Sequence, residues 1–302
     1  MSGTPTIYRD IATKELLERE YSPSSLAPDL AQYLRDYASR SARTRERLPG
    51  KLNLSYGPAP EEVCDLFLPS PVRSGRTPLC IFIHGGYWQD LSKSDFSFPA
   101  EQFGRHGIAF AAVNYGLAPA SSLAAMVVRC RAAIAYLYGA AGRLGFDRDS
   151  ILVCGSSAGA HLAAMTLLTD WLREFALPAT LIKGAILLSG IYDLRPIRLT
   201  YVNDPLQLDV PSALCNSPLL LADFVSATIA PTLIAWGEHE TTEFKRQSQE
   251  FAAALARRRA AVTSLEVRGR NHFDVLFDLA DDHTELGGAL LRHLSACLGA
   301  AP

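Results

Sequence analysis

Seven runs of mostly apolar residues punctuate the chain: EEVCDLFLPS (61–70), PLCIFIHGG (78–86), IAFAAVNYG (108–116), ILVCGS (151–156), IKGAILLSGIYD (182–193), PTLIAWGEHE (231–240) and VTSLEVRG (262–269). A strand with one wet face alternates apolar and polar residues, whereas most of these runs, VTSLEVRG excepted, are largely continuous, the pattern of strands buried on both faces. Stretches with helical character fill the gaps, at about 93–106, 125–145, from Ala158 onward, 243–258 and 282–298. Two amphipathic helices, 11–20 and 27–47, precede them all. Buried strands alternating with helices predict an α/β chain, with a mainly parallel central sheet and helices on both faces. The proline-interrupted segment from Leu194 to Val225 has weak periodicity and is predicted to be a lid inserted over the C-terminal edge of the sheet. That edge is where open α/β sheets bind their ligands.

Composition narrows the classes. A chain of 302 residues, 48% hydrophobic and 20% charged, can bury a large core and is neither disordered nor fibrous. A net charge of -2 gives no electrostatic footprint for a nucleic-acid partner. The one basic spot, SRSARTRER (39–47), contains Glu46 and lies beside Leu34, Tyr37 and Leu48, so it reads as a solvated helix face. Cysteines 64, 80, 130, 154, 215 and 297 are scattered without C-x-x-C spacing, which argues against a disulfide scaffold or a zinc site and suits a reducing compartment. The N-terminus has no apolar leader-like core, and no apolar run approaches the roughly 20 residues that cross a bilayer. A soluble, cytoplasmic protein with no membrane partner is expected, with a homodimer open.

The chemistry concentrates at strand ends. Gly155-Ser156-Ser157-Ala158-Gly159 follows the Ile151–Val153 run and precedes a helix-forming stretch. This is a G-x-S-x-G element in a strand-turn-helix setting, where a tight turn would lift the central Ser157 hydroxyl above the sheet. Ser156 has its glycines offset by one. A serine before a helix is also a common N-cap, which is the plainer reading. HGGYW (84–88) follows another buried run, and its paired glycines let backbone amides approach a substrate. Gly85 and Gly86, with the N–H of Ala158, are candidates for an oxyanion hole. Of seven histidines, His272 lies in a loop after the last strand and could return to the serine. His161 lies one turn into the serine helix and is expected to be structural, and His283 and His293 are placed on the final helix. For the acid there are Glu238, Glu240 and Glu243, and the spacing from Gly237 favours Glu240, just beyond the strand's turn. Tyr87, Trp88 and Tyr192 are candidate substrate-binding aromatics, an aryl wall near the serine.

HGGYW, GSSAGAHLAAM, SGIYDLRPI, TYVNDPL, WGEHETTEFKRQSQEF and NHFD resemble segments of the α/β-hydrolase superfamily. Within it they are similar to hormone-sensitive-lipase-like esterases and, more closely, to arylformamidases. The resemblance runs from about Tyr56 onward and implies one α/β-hydrolase domain over 1–302, with an N-terminal helical segment at 1–55. It implies a triad of Ser157, Glu240 and His272 and hydrolysis of an aryl formamide such as N-formylkynurenine, with no metal or organic cofactor. Two positions depart from the usual formamidase pattern: Glu240 stands where Asp is common, and Ser156 where many members have His. A carboxylesterase for short acyl or aryl esters would use the same machinery. A non-catalytic ligand-binding descendant would be expected to lack a triad member.

Overall fold

The computed structural model of the chain describes residues 6–27, 29–71, 77–225 and 228–299. Eight strands form one sheet: β1 (Gly50–Ser55), β2 (Val63–Phe67), β3 (Leu79–Ile83), β4 (Ala109–Val113), β5 (Ile151–Ser156), β6 (Ile182–Leu188), β7 (Thr232–His239) and β8 (Val262–Asn271). Their spatial order is β1-β2-β4-β3-β5-β6-β7-β8. The pairs β1–β2 and β2–β4 are antiparallel, and every other neighbouring pair is parallel. All seven runs therefore contain a strand, although β8 is an edge of the sheet and exposed or half-buried at most positions, so VTSLEVRG is not buried on both faces.

The helices are α1 (Lys14–Glu20), α2 (Leu30–Arg47), α3 (Ala100–Arg105), α4 (Leu123–Leu144), α5 (Ala158–Leu167), α6 (Trp171–Phe175), α7 (Asn203–Leu206), α8 (Val210–Cys215), α9 (Pro218–Leu221), α10 (Thr242–Arg257) and α11 (Glu285–Leu298). The two faces of the sheet feed two separate cores. On β3, Leu79, Ile81 and Ile83 join one core while Cys80 and Phe82 join the other. That is why its sequence is apolar without a break. Helix α5 is buried along its whole length, as its apolar composition on every face requires.

Three differences from the sequence reading have physical causes. Strand β1 has no apolar run to announce it, because it is an edge strand whose residues are mostly exposed, with Lys51 and Asn53 alternating with its leucines. The helix expected over 93–106 is split into a short 3-10 turn at Lys93–Asp95 and α3, with Pro99 as the α3 N-cap. Between them the Ser97 and Phe98 amides donate to Ser41 Oγ of α2 at 3.0 and 3.2 Å, so the chain is held open there. His283 precedes the N-cap of α11 and is not part of that helix.

Helix α4, 22 residues long with an 18-residue window of mean hydropathy 1.3, is long and apolar enough to cross a membrane by length and composition alone, although Arg129 and Arg131 interrupt its apolar run. It packs instead against α5 inside one of the two cores, burying Met126, Cys130, Ile134 and Leu137. Its Arg129 pairs with Glu61 at 2.8 Å. All six cysteines are free thiols.

Candidate active site

Four strands deliver their C-terminal ends to one place. After β5 the chain turns into α5 at Ser157, whose backbone sits at φ 56°, ψ -122°, a sparsely populated region for a non-glycine residue. Such strain costs on the order of 1–3 kcal/mol and persists only where the surroundings over-determine it. Here they do. The Ser157 amide donates to the Leu188 carbonyl of β6 at 2.8 Å, and a Cβ at Gly159 would lie 2.0 Å from the Ile83 carbonyl oxygen. Only glycine lets β3 and α5 approach so closely. Ser157 occupies the N-cap position, yet its hydroxyl makes no capping bond. The plainer reading of this serine, a helix cap, fails on that point.

The hydroxyl engages His272 instead, with Ser157 Oγ 3.0 Å from His272 Nε2. His272 Nδ1 lies 2.9 Å from Glu240 Oε2. A carboxylate only accepts, so Nδ1 carries the proton and Nε2 is left to accept from the serine. Both His272 and Glu240 are buried. Glu240 Oε1 in turn accepts the Gly237 amide and the Ser189 hydroxyl, each at 2.6 Å. The His272 ring is gripped edge-on by Phe244 and Phe273, with centroids 4.6 and 5.1 Å away. The other two acids are committed elsewhere: exposed Glu238 accepts the Gly269 amide, and Glu243 pairs with Arg246 and Tyr21. The Gly269 bond also holds the Glu238 carboxyl below its ordinary pKa.

The HGG loop after β3 is set by its own histidine. Burial pushes the His84 pKa down to about 4, so the ring is neutral. Its Nδ1 lies 2.8 Å from the Gly85 carbonyl oxygen and therefore donates to it. The ring stacks on Tyr115 at 4.4 Å, and the Tyr115 hydroxyl donates to the His84 carbonyl. In a trans peptide the N–H points opposite to the C=O, so fixing the Gly85 carbonyl also fixes the Gly86 N–H. The Gly85 and Gly86 amides donate to no protein acceptor among the described residues. Ala158, as the first residue of α5, has a free N–H by helix geometry. Gly86 is at φ +102°, and a Cβ there would meet the Asp90 carbonyl oxygen at 2.1 Å.

A cavity of about 250 Å³ opens beside these groups, touching Ser157, His272, Gly85 and Gly86. Its apolar wall comes largely from Leu30, Leu34 and Tyr37 of α2 and from Phe273 and Leu276. The roof is thus the N-terminal segment, not the predicted lid. Of residues 194–225, only Tyr201 reaches the cavity among the described residues. The rest of that segment is anchored downward, with the Leu219 amide on the Tyr192 carbonyl and the Leu194 amide on Ser217 Oγ.

The aromatic candidates divide. Tyr87 lines the cavity, and its hydroxyl donates to the Tyr21 carbonyl of the N-terminal segment. Trp88 and Tyr192 do not reach it: both are fully buried, Trp88 edge-on to His161 at 5.2 Å and Tyr192 stacked on Phe251 at 4.3 Å. Placing them at a substrate was an error of direction, because a residue at a strand end can point down into the core as readily as up. His161 is structural, with its Nε2 2.7 Å from the Asn216 carbonyl oxygen.

The sequence reading missed Ser189, which sits at φ 51° directly after β6 and holds Glu240. Its signal was a lone polar residue ending a buried run. It also missed Tyr33 and Tyr37 of α2. Tyr33 accepts from Asn271 Nδ2 at 2.9 Å and Tyr37 donates to the Phe273 carbonyl, so both grip the loop that carries His272. No local pattern announces contacts between residues more than 230 positions apart.

A hydroxyl bonded to an oriented imidazole, beside free backbone amides, is equipped to attack an acyl carbon and stabilise the resulting oxyanion. The comparisons with known proteins agree with that chemistry. The BD-FAE family model matches residues 64–186. The chain is 36% identical over 288 residues to a kynurenine formamidase of Danio rerio, covering 93% of this chain and 96% of that one. It is 35% identical to the kynurenine formamidase of Salmo salar, covering 92% and 96%. Both matches leave too little of the chain unaligned to omit α2, so they extend into this N-terminal helix, which the motifs do not reach. In fold it is similar to esterase B from Lactobacillus rhamnosis, with a TM-score of 0.71 at 18% identity, covering 92% of this chain and 96% of that one. Matched to those formamidases along nearly their full length, the chain belongs to the kynurenine formamidase family, serine hydrolases of the α/β-hydrolase fold.

Proposed function

We propose that the protein hydrolyses an aryl formamide, with N-formylkynurenine as the substrate, to the arylamine and formate. Ser157 Oγ attacks the formyl carbon while His272 Nε2 takes its proton, and Glu240 holds the imidazole and balances its charge. The Gly85, Gly86 and Ala158 amides receive the developing oxyanion. His272 then protonates the aniline nitrogen as the C–N bond breaks. A water activated by the same imidazole attacks the formyl-serine and releases formate. What carries the choice of substrate is the near full-length identity to formamidases, including the α2 segment that lines the cavity. The compartment we infer is the cytoplasm, a reducing one, supported by six unpaired thiols of which four are buried.

The test is a side-by-side measurement of kcat/KM for N-formylkynurenine and p-nitrophenyl acetate, followed by an acyl series on one arylamine. A formamidase should lose rate steeply from formyl to acetyl to butyryl, because formyl is the smallest acyl group and a site built for it has no room behind the carbonyl. Flat or rising activity along the series would make the protein a general carboxylesterase.

A further inference from the structure

The cavity beside Ser157 carries an unbalanced charge. Asp90 stands at its rim, exposed to solvent. One oxygen, Oδ1, accepts the Leu91 amide at 2.7 Å, which fixes the carboxylate. Asp90 has no ion-pair partner among the described residues, whereas Asp65, Asp193 and Asp278 are each paired with a cation. Lys93, the cation nearest in sequence, is turned inward, with Nζ 2.7 Å from Asp65 and 2.9 Å from Asn53. Asp90 is the one carboxylate lining the cavity among the described residues, and no lysine or arginine stands beside it there. Two neighbouring polar groups are engaged with the protein: Gln89 Nε2 donates to the Val202 carbonyl and the Tyr201 hydroxyl bonds Ser22.

A site that grips a carboxylate presents arginine or lysine, because a forked or point cation satisfies the oxygens at short range. None lines this cavity among the described residues. We propose that Asp90 is a specificity residue that receives an ammonium group on the substrate's tail, so that an α-amino-acid tail is recognised through its nitrogen while its carboxylate faces the open, hydrated mouth. This rests on the formamidase reading for the bond that is cleaved, but not for the charge of the tail.

The experiment uses the full-length enzyme and three formamides on the same aryl ring, with tails that are an α-amino acid, a carboxylate alone, or neutral. The wild type should favour the amino-acid tail over the carboxylate-only tail. Asp90→Asn keeps an oxygen for the Leu91 amide. In it, the ratio of kcat/KM for the amino-acid tail to that for the neutral tail should fall by about fivefold or more, carried by KM. Asp90→Lys should turn the preference toward the carboxylate-only tail. An unchanged ratio in Asp90→Asn, or an equal fall on all three substrates, overturns the proposal. The same three tails on aryl acetate esters separate the two failures: hydrolysis of esters without formamides sinks the formamidase reading, while the ratio among the esters still decides the role of Asp90.

Discussion

The two regions that meet at the cavity are held in place by different means. The strand ends that carry Ser157, Glu240 and His272 grow out of β5, β7 and β8, whose ladders fix the backbone, and each functional atom has a partner within 3.0 Å. The N-terminal roof belongs to no strand of the sheet. It is fastened by separate side-chain bonds: Tyr33 to Asn271, Tyr37 to the Phe273 carbonyl, Ser41 to the Ser97 and Phe98 amides, and Tyr87 to the Tyr21 carbonyl. The sheet therefore sets the reacting geometry, while a separately attached segment sets the shape of the space beside it. Such a division lets the roof change its side chains, and with them the shape of the cavity, without moving Ser157.

If that division is real, strand-end substitutions should strike kcat and roof substitutions should strike KM. The largest effect belongs to Ser157→Ala, which removes the attacking atom and little packing. Loss of turnover by about 10⁴-fold or more is expected, with an unchanged fold by circular dichroism. An organophosphate adduct on any other residue would break the assignment. Next is Glu240→Ala, at about 10³- to 10⁴-fold in kcat, because His272 loses the partner that fixes its tautomer. Glu238→Ala, changing an exposed carboxylate, should leave kcat near wild type. If it is the more damaging of the two, the acid has been misidentified.

The same division explains what the sequence disclosed. The strands, the G-x-S-x-G turn, the HGG loop and the spacing from Gly237 to Glu240 are local patterns, and buried parallel strands write them as unbroken apolar runs. The roof is not local. Helix α2 shows amphipathic periodicity, which reveals that it packs but not against what. Its inward residues, Tyr37, Ser41 and Thr44, are two polar residues and an amphipathic one. The segment 194–225 reads as a lid because its prolines and weak periodicity interrupt the strand-helix rhythm. Interruption marks an insertion, but not the surface it covers. Trp88 and Tyr192 failed for a related reason, since the sequence places a residue at a strand end without giving the direction of its side chain.

Between the two regions lies the Gly86 loop, and its predicted effect is intermediate. Gly86→Ala puts a methyl where the Asp90 carbonyl oxygen stands and forces a φ of +102° on an L-residue. The loop must shift, and with it the Gly86 amide. A fall of about 100-fold in kcat is expected, the size typical of losing one oxyanion donor, with the smaller change in KM. A loss confined to KM would remove this amide from the oxyanion hole. Further out, Leu34→Ala removes part of the apolar wall from the half-buried face of α2. Losing contact with a few carbons should raise KM for an aryl substrate by about five- to tenfold while kcat stays near wild type. Should kcat fall instead, the roof is holding the chemistry and the comparison collapses.

The smallest predicted effect is the sharpest test, because Tyr33 belongs to the roof and touches the loop that carries His272. Tyr33→Phe removes the oxygen that accepts from Asn271 Nδ2 but keeps the ring stacked on Phe273, with centroids 5.7 Å apart at 14°. Asn271 is not freed by the change. Its amide still donates to Asp274 Oδ1 at 2.6 Å, and its side-chain oxygen still accepts the Phe273 and Asp274 amides at 2.8 and 3.1 Å. The turn that presents His272 is therefore largely self-supporting, and the roof contributes one neutral hydrogen bond, a net of about 1 kcal/mol at most. A decline in kcat of about threefold is expected, with KM for an aryl formamide unmoved because the wall itself is intact. A decline of a hundredfold would mean that the turn does not hold without α2, and that roof and strand ends form a single device. No change at all would leave His272 wholly to the sheet and its own turn, the division in its strongest form.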